Sequence, residues 1–513
     1  MNNELRWKQR FVNFENAYRK FSQIVAIEKM GEIEEIRKFL QGYPEIYTAK
    51  IFGSRALGSY KEASDIDLAI FGDGVTDKTA RDLKFDIEEE SYLPYFFDVI
   101  SYNDITVPSL REHIDRHGVT IYRQGWREVK LGEIVNAISE TYKFGDEKVI
   151  FLNTSDIYNG KIINHPRYLP KQLPGQAKKS IKKNDFLFSE IRPANRRFAL
   201  VDIDADNYVV STKLMVLRCS DRILPKYLEI FLTSNSNLEY LQLLAESRSG
   251  TFPQITFEQI ANLDILLPPL PEQKAIAEIL SSLDDKIELL HRQNKTLEAI
   301  AETIFRKWFV EEVSDDWEEG KLGEYITVKG GATPSTTVME YWDGKYAWAT
   351  PKDLPKLDSP MLFNTERRIT EKGLAQISSG LLPINTVLLF SRDPIGYVVI
   401  NKVPVAINQG FIAIICDKLF TTHFMYCWIK RNMELIVGAA NGSTFLEISK
   451  SVFKDIDVLV PDEKIIKEFD KLVEPIFDKI FLNTLHIHTL EKLRDALLPK
   501  LISGEVRVGN SGG

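Results

Sequence analysis

The residues Gly53, Ser54, Asp65 and Asp67 fall in the spacing G-S-x10-D-x-D. Apolar runs flank them, AKIF before the Gly-Ser step and IDLAIF around the second aspartate. Read as strands, these runs put Asp65 and Asp67 on one face, because side chains two residues apart in a strand point the same way. Two carboxylates aimed at one spot repel unless a cation lies between them. A third acid, Asp98 in YFFDVI, sits inside another apolar run, where a lone charge needs a reason. Three such acids can hold Mg²⁺ ions that position a nucleoside triphosphate and steady a departing pyrophosphate. An all-oxygen ligand set favours Mg²⁺ over zinc. The Gly53-Ser54 turn lets the backbone approach phosphate closely and offers N–H and hydroxyl donors.

A second kind of chemistry is suggested by charge. The chain of 513 residues carries a net charge of −8, yet Lys161 to Arg197 holds ten basic and two acidic residues. Screening keeps a field local, over about 8–10 Å, so such a segment can grip phosphate on an acidic chain. Lys178, Lys179, Lys182 and Lys183 lie in it, followed by Arg192, Arg196 and Arg197 in a Pro/Asn turn after an apolar run. Arginine there suits phosphates and guanine edges. The corresponding later region is less basic and offers Arg367, Arg368 and Arg392. Three cysteines, Cys219, Cys416 and Cys427, lack metal-ligand spacing and read as buried thiols. No run approaches the roughly 20 apolar residues of a membrane helix, and MNNELRWKQR has no signal-peptide core, so a cytoplasmic protein with no membrane partner is expected.

The elements that must position these groups come in duplicate. WREVKLGEIV at Trp126 is echoed by WEEGKLGEYI at Trp317, and SGTFPQITFEQIANLDILLPP by GSTFLEISKSVFKDIDVLVPD. In the second pair Phe252 and Phe445, Asp264 and Asp457, and Pro268 and Pro461 match at one offset of 193. Each copy contains short β-like runs and ends in a helical stretch. One seam runs from Ile276 through Leu290 and Asn294 to Trp308, the other from Ile466 through Ile480 and Asn483 to Leu497. Their steps of three and four average 3.5 residues, a coiled-coil seam. The first would be about 48 Å long at 1.5 Å per residue. Neither stripe can be buried alone, so the two helices are expected to pair. Pro271 suits a first turn, and Pro475 is expected to kink or restart the second helix.

Residues 126–506 resemble the specificity subunit of type I restriction-modification systems. The marks are the tandem W-x-E-x-K-L-G-E openings, LPPLPEQKAIAEIL and LEKLRDALLPKLISGEVRV. The resemblance implies two target recognition domains, each reading half of a split site in double-stranded DNA. It also implies an antiparallel helical spacer that docks type I modification (methyltransferase) subunits, in two copies, with restriction/translocase subunits besides. Residues 30–124 are similar to minimal nucleotidyltransferases of the polymerase-beta superfamily, through the motif above and the tail LREHIDRHGVTIYR. That likeness implies catalysis by Ser54, Asp65, Asp67 and Asp98, with the three acids as metal ligands. It implies nucleotide contacts from Gly53, Ser54 and Arg55, with Mg²⁺ and ATP as cofactors and AMP as the group transferred.

The expected fold class is therefore α+β and multidomain. An N-terminal amphipathic helix (1–29) bears Phe11, Phe14, Tyr18, Phe21 and Val25 on one face. A small α/β nucleotidyltransferase-like domain (30–124) follows. Then come β-rich mixed recognition domains at 126–268 and 317–461, separated by a long antiparallel coiled-coil pair formed by spacer helices at 269–316 and 462–506. The expected function is DNA specificity with a fused Mg²⁺-dependent nucleotidyltransferase. The alternative is a toxin-antitoxin-type transferase of AMP whose C-terminal part targets or regulates it.

Overall fold

A computed structural model describes residues 32–57, 64–247, 253–354, 359–392, 394–440, 446–504, 506 and 508. The helix expected at 1–29, and Phe252, Phe445 and residues 58–63, lie outside the described residues. Two compact units result. One holds the described residues up to Ile279 together with those from Leu497 onward; the other is Leu280–Ala496.

The first unit begins with helix α1 (Glu32–Gln41), strand β1 (Thr48–Phe52), the short helix α2 (Gly53–Leu57), β2 (Ile66–Phe71), α3 (Asp77–Glu90), β3 (Phe97–Ser101), α4 (Pro108–His117) and β4 (Val119–Arg123). The sheet order is β3-β2-β1-β4, with β2 and β3 parallel and β1 antiparallel to both its neighbours. Strand alternation divides the side chains between two faces. Ile51, Leu68 and Val99 bury one face together with Ile36 and Leu40 of α1 and Leu83 and Ile87 of α3. Phe52 and Ala69 bury the other with Ile114 of α4. By the same alternation Asp67 shares the α4 face with Ala69, and Asp98 shares it with Ile100. Pro108 opens α4, where a missing N–H costs nothing.

The duplicated segments then explain themselves. In the first copy the strand Arg127–Lys130 pairs antiparallel with Asp264–Leu267, placing Lys130 opposite Asp264. In the second, Glu318–Lys321 pairs with Asp457–Val460, placing Lys321 opposite Asp457. Each lysine bridges its aspartate, at 2.5 Å and 2.6 Å. The glycine of each K-L-G-E is there for close approach. A Cβ on Gly132 would stand 2.8 Å from the Ala261 Cβ, and one on Gly323 would stand 2.9 Å from the Lys454 Cβ. The repeated motifs are thus the two ends of each domain, fastened together.

Between those ends each copy carries two main sheets, and the first adds a two-stranded pair, Ile157–Tyr158 with Lys161–Ile162. The first copy has one of order Phe198–Leu200, Phe186–Ser189, Leu214–Cys219, Val135–Ile138, and one of order Arg167–Tyr168, Val149–Leu152, Tyr208–Ser211, Ala177–Ser180. In the second copy Thr327–Gly330, Phe411–Ile415, Val387–Phe390 and Val398–Asn401 run in the same neighbour order, with Met361–Leu362 added. Its other sheet sets Trp342–Ala349 between Arg367–Ile369 and Val405–Ile407. Strands such as VIFL and VLLF are buried throughout, as near-continuous apolar runs must be.

Two long helices, Leu270–Arg306 and Glu463–Ile502, complete the fold. The first copy grips the start of the first helix. Gln273, fully buried, accepts from the Leu224 N–H and donates to the Arg222 and Pro268 carbonyls. Trp126 Nε1 donates to Glu272 at 2.8 Å. Within the second unit the helices lie side by side and antiparallel. Arg494 bonds Asp284 at 2.9 Å; Ile287 and Leu290 pack with Ile487; Asn483 donates to Asn294 at 3.0 Å; and Phe305 meets Phe469 with ring centroids 5.8 Å apart. Asn294 and Asn483 are 1% and 0% exposed, so the seam buries a polar pair among apolar residues. The second copy shares its core with this pair, through Phe424, Tyr426, Phe469 and Phe477.

Pro475 does not restart the second helix; Glu463–Ile502 is one helix of 40 residues that runs through it. A proline inside a helix costs about 3 kcal/mol. Burying each large apolar side chain returns about 1.5–3 kcal/mol, and Phe469, Val473, Phe477 and Ile480 around it are all at most 1% exposed. Packing outweighs the local preference. Among the described residues no helix is long and apolar enough to cross a membrane.

Candidate functional site

Parallel pairing sets Asp67 directly beside Asp98. Neighbouring strands lie about 4.8 Å apart, so two carboxylates share one patch of surface. Asp65, exposed, stands two residues ahead of Asp67 in the coil entering β2. Burial first, then the Asp98 and Asp65 charges, hold the Asp67 carboxyl above its ordinary range; His113 and Arg55 offset part of this. Gly53 occupies φ +70°, and a Cβ on it would run into the Asp67 carboxylate. That position needs glycine on both counts. Ser54 follows, half-buried on α2, which packs on α4.

Arg55, expected as a nucleotide contact, bonds backbone within the domain. It is 4% exposed and its guanidinium donates to the carbonyls of Ser64 (2.7 and 3.1 Å) and Asp65 (3.2 Å), over the Tyr95 ring. It pins the backbone that delivers Asp65 and Asp67. Sequence reasoning also missed His113. It stands on α4, on the acids' side of the sheet, with its ring 5.2 Å from that of His117. No motif marks it; only the strand alternation and the α4 packing bring it there. Among the described residues no group of three or more His, Cys, Asp or Glu side chains closes to metal-holding geometry. The donor chemistry fits Mg²⁺ all the same. Asp67 and Asp98 are in register, all donors are oxygen, and their mutual repulsion is what a divalent cation relieves.

The basic segment divides. Lys178, Lys182 and Lys183 are exposed, with Lys182 3.8 Å from Glu140. Lys179 is half-buried. Its ammonium donates to the Thr212 and Leu214 carbonyls at 3.2 and 2.8 Å, and burial lowers its pKa. Arg192 and Arg196 flank a 3-10 turn in left-handed backbone, φ 45° and 54°, a conformation that costs non-glycine residues about 1–3 kcal/mol. Arg192 is exposed. Arg196 donates to Asn235 at 2.6 Å; Arg197 donates to the Ser155 and Ile157 carbonyls. In the second copy Arg367 stacks on Trp342, 3.5 Å from the ring centroid, while Arg368 donates to Asn364 and the Lys345 carbonyl. Arg392 is exposed and pairs with Glu447 at 3.2 Å.

Residues 123–299 and 314–492 match the family described as Type I restriction modification DNA specificity domain. Residues 34–125 match Polymerase beta, Nucleotidyltransferase. The Type I restriction enzyme HindI specificity subunit of Haemophilus influenzae is 32% identical over 464 residues, 74% of this chain and 99% of that protein. The probable protein adenylyltransferase MntA of H. influenzae is 36% identical over 74 residues, 14% of this chain and 65% of that protein. A solved S subunit of a Type-I restriction-modification system from M. genitalium is 17% identical, covering 74% of this chain and 96% of that one, with a TM-score of 0.47. With both copies of the repeat matched and a full-length relative above 30% identity, the chain belongs to the type I restriction-modification DNA specificity family and carries a nucleotidyltransferase domain at its N-terminal side.

Proposed function

We propose that this chain is the DNA specificity subunit of a type I restriction-modification system, acting in the cytoplasm. Its two globular copies each read one part of a gapped duplex site, and the antiparallel helices fix the spacing between the parts. Two modification subunits, and restriction subunits with them, assemble on it. The observation that carries this reading is the duplication: two domains, each closed by the same strand pair and Lys–Asp bridge, share one antiparallel helical pair. Distance along a duplex is set by helical geometry, so a stiff spacer selects one gap. The basic segment and its exposed lysines supply phosphate contacts, which give affinity and register but little sequence choice. Sequencing the methylation pattern of a host that makes this chain with its modification subunit tests the reading. A methylated, two-part motif with one gap length is expected; a contiguous motif, or none, overturns it.

For the N-terminal domain we propose Mg²⁺-dependent transfer of AMP from ATP: an acceptor hydroxyl oxygen bonds to the α-phosphorus, the α–β phosphoanhydride bond breaks, pyrophosphate leaves and the hydroxyl proton passes to solvent. Asp67 and Asp98, with Asp65, would hold the metal, which offsets the charge of the triphosphate. Gly53 keeps the backbone low enough for phosphate to approach, and Ser54 offers a hydroxyl and an N–H to it. Arg55 holds the loop that carries the acids. The likeness to a probable protein adenylyltransferase favours a second reading, in which this activity is primary and the rest of the chain targets or regulates it. Asp67→Asn separates the two: methylation of the gapped motif survives under the first reading, and the biological effect disappears under the second.

A further inference from the structure

The two recognition domains share a feature that their sequences hide. In the first, the strand Val149–Leu152 runs antiparallel to Arg167–Tyr168 and parallel to Tyr208–Ser211. In the second, Trp342–Ala349 runs antiparallel to Arg367–Ile369 and parallel to Val405–Ile407. Both central strands end in the same loop. The Asn153 N–H donates to the Asp156 carboxylate at 2.8 Å, and the Thr350 N–H to that of Asp353 at 2.7 Å. Aligned on those loops, the parallel partners coincide, Tyr208 with Val405. So do the antiparallel ones: Ile150 faces Arg167 and Ala347 faces Arg368. Both arginines are exposed.

In the first domain the loop and the facing strand enclose an open cleft of about 570 Å³, lined by Phe151, Asn153, Ser155, Asn164, His165 and Tyr168 among others. Its polar atoms are held in place yet only half used. Asn153 Oδ1 accepts from the Thr154 N–H, Asn164 Nδ2 donates to Asp156, and His165 Nδ1 pairs with the Tyr208 hydroxyl at 2.9 Å. Asn153 Nδ2, Asn164 Oδ1 and His165 Nε2 have no partner among the described residues. Fixed amide and imidazole edges between aromatic walls suit the edges of bases. The basic turn adjoins the cleft, since Arg197 holds the carbonyl of Ser155 on its rim.

We infer that this cleft reads base edges in one half of the DNA site, and that its counterpart at Thr350–Asp353 and Arg368 reads the other half. The inference rests on the specificity reading above and adds the location of the readout. Phosphate contact then belongs to the adjoining basic turn and lysines, and sequence choice to this cleft and to the equivalent loop and strand of the second domain.

The test uses the full chain assembled with its modification subunits. Methylation is compared across duplexes carrying each single-base change in the motif. Asn164→Ala and His165→Ala should each relax preference at one or two positions, by about tenfold or more, in one half only. Arg368→Ala should do so in the other half only. Preference is a ratio between duplexes, so a reduced folded fraction does not imitate it. Unchanged preference in all three variants, or equal relaxation of both halves, overturns the cleft assignment while leaving the specificity function intact. A native complex with no gapped motif defeats the specificity reading itself.

Discussion

The buried Asn294–Asn483 pair makes a quantitative prediction. Asn483 donates to Asn294 at 3.0 Å, Asn294 donates to Thr484 at 3.3 Å, and Asn483 Oδ1 is buried with no hydrogen-bond partner. Replacing Asn294 by leucine leaves the Asn483 amide with a single contact, to Gln293 at 3.4 Å. An abandoned buried polar group costs about 1–3 kcal/mol, which is roughly a five- to 150-fold change in an opening equilibrium. Replacing both asparagines by leucine removes the orphaned oxygen as well and buries two apolar side chains, each contributing about 1.5–3 kcal/mol. The double variant should therefore be more stable than the native chain, and the single variant less. Hydrogen exchange of the amides in 284–294 and 483–494 reads this locally, so whole-chain unfolding need not be two-state. The expected order of protection is double variant, native, Asn294→Leu. Additive effects, with no coupling beyond about 0.5 kcal/mol, would refute the claim that the pair acts as one buried polar contact kept for register rather than for stability.

Other predictions follow from the same geometry. Asp67→Asn should abolish nucleotidyl transfer and leave the methylated motif unchanged, as read by labelled-nucleotide transfer and methylome sequencing in parallel. The raised pKa of Asp67 means that the folded state holds this proton more tightly than the unfolded one, so stability is lost as pH rises from the ordinary carboxylate range through the folded pKa. Asp67→Asn should accordingly raise the melting midpoint at neutral pH, with the gain vanishing below about pH 4; a gain that persists in acid would contradict the assignment. Gly53→Ala should destabilise the N-terminal domain by about 2 kcal/mol or more, because it combines left-handed strain with a collision against Asp67. Inserting seven residues at matched points of both long helices lengthens the pair by about 10.5 Å. The gap in the methylated motif should grow by about three base pairs, at roughly 3.4 Å each.

Much of this architecture was legible where one residue type has one use. The seam positions, the repeated K-L-G-E and the matched aspartates are enforced by packing, close approach and pairing, and each leaves a periodic or repeated trace. The face of Asp67 was legible from period-two alternation in IDLAIF, whereas Asp65 falls in the coil ahead of that strand rather than on it. The carbonyl partners of Arg55 and Lys179 were not legible, because a cation in a basic or phosphate-associated motif looks the same whether its charge meets solvent or a carbonyl. That the helix runs on through Pro475 was not legible, because intrinsic cost is local and the compensating packing comes from residues far away in sequence. The equivalence of Asn153–Asp156 with Thr350–Asp353 was invisible because only the aspartate is shared. The parallel pairing that defines it joins residues 58 apart in both copies, Ile150 with Tyr208 and Ala347 with Val405.

The central claim, that two duplicated domains gauge one duplex at two places, is tested most directly by the methylation pattern in cells that make this chain with its modification subunit and lack any other specificity subunit. The account predicts a single motif with two specified segments and an unspecified gap of constant length. A motif without a gap, or gaps of variable length between the same two segments, would contradict it.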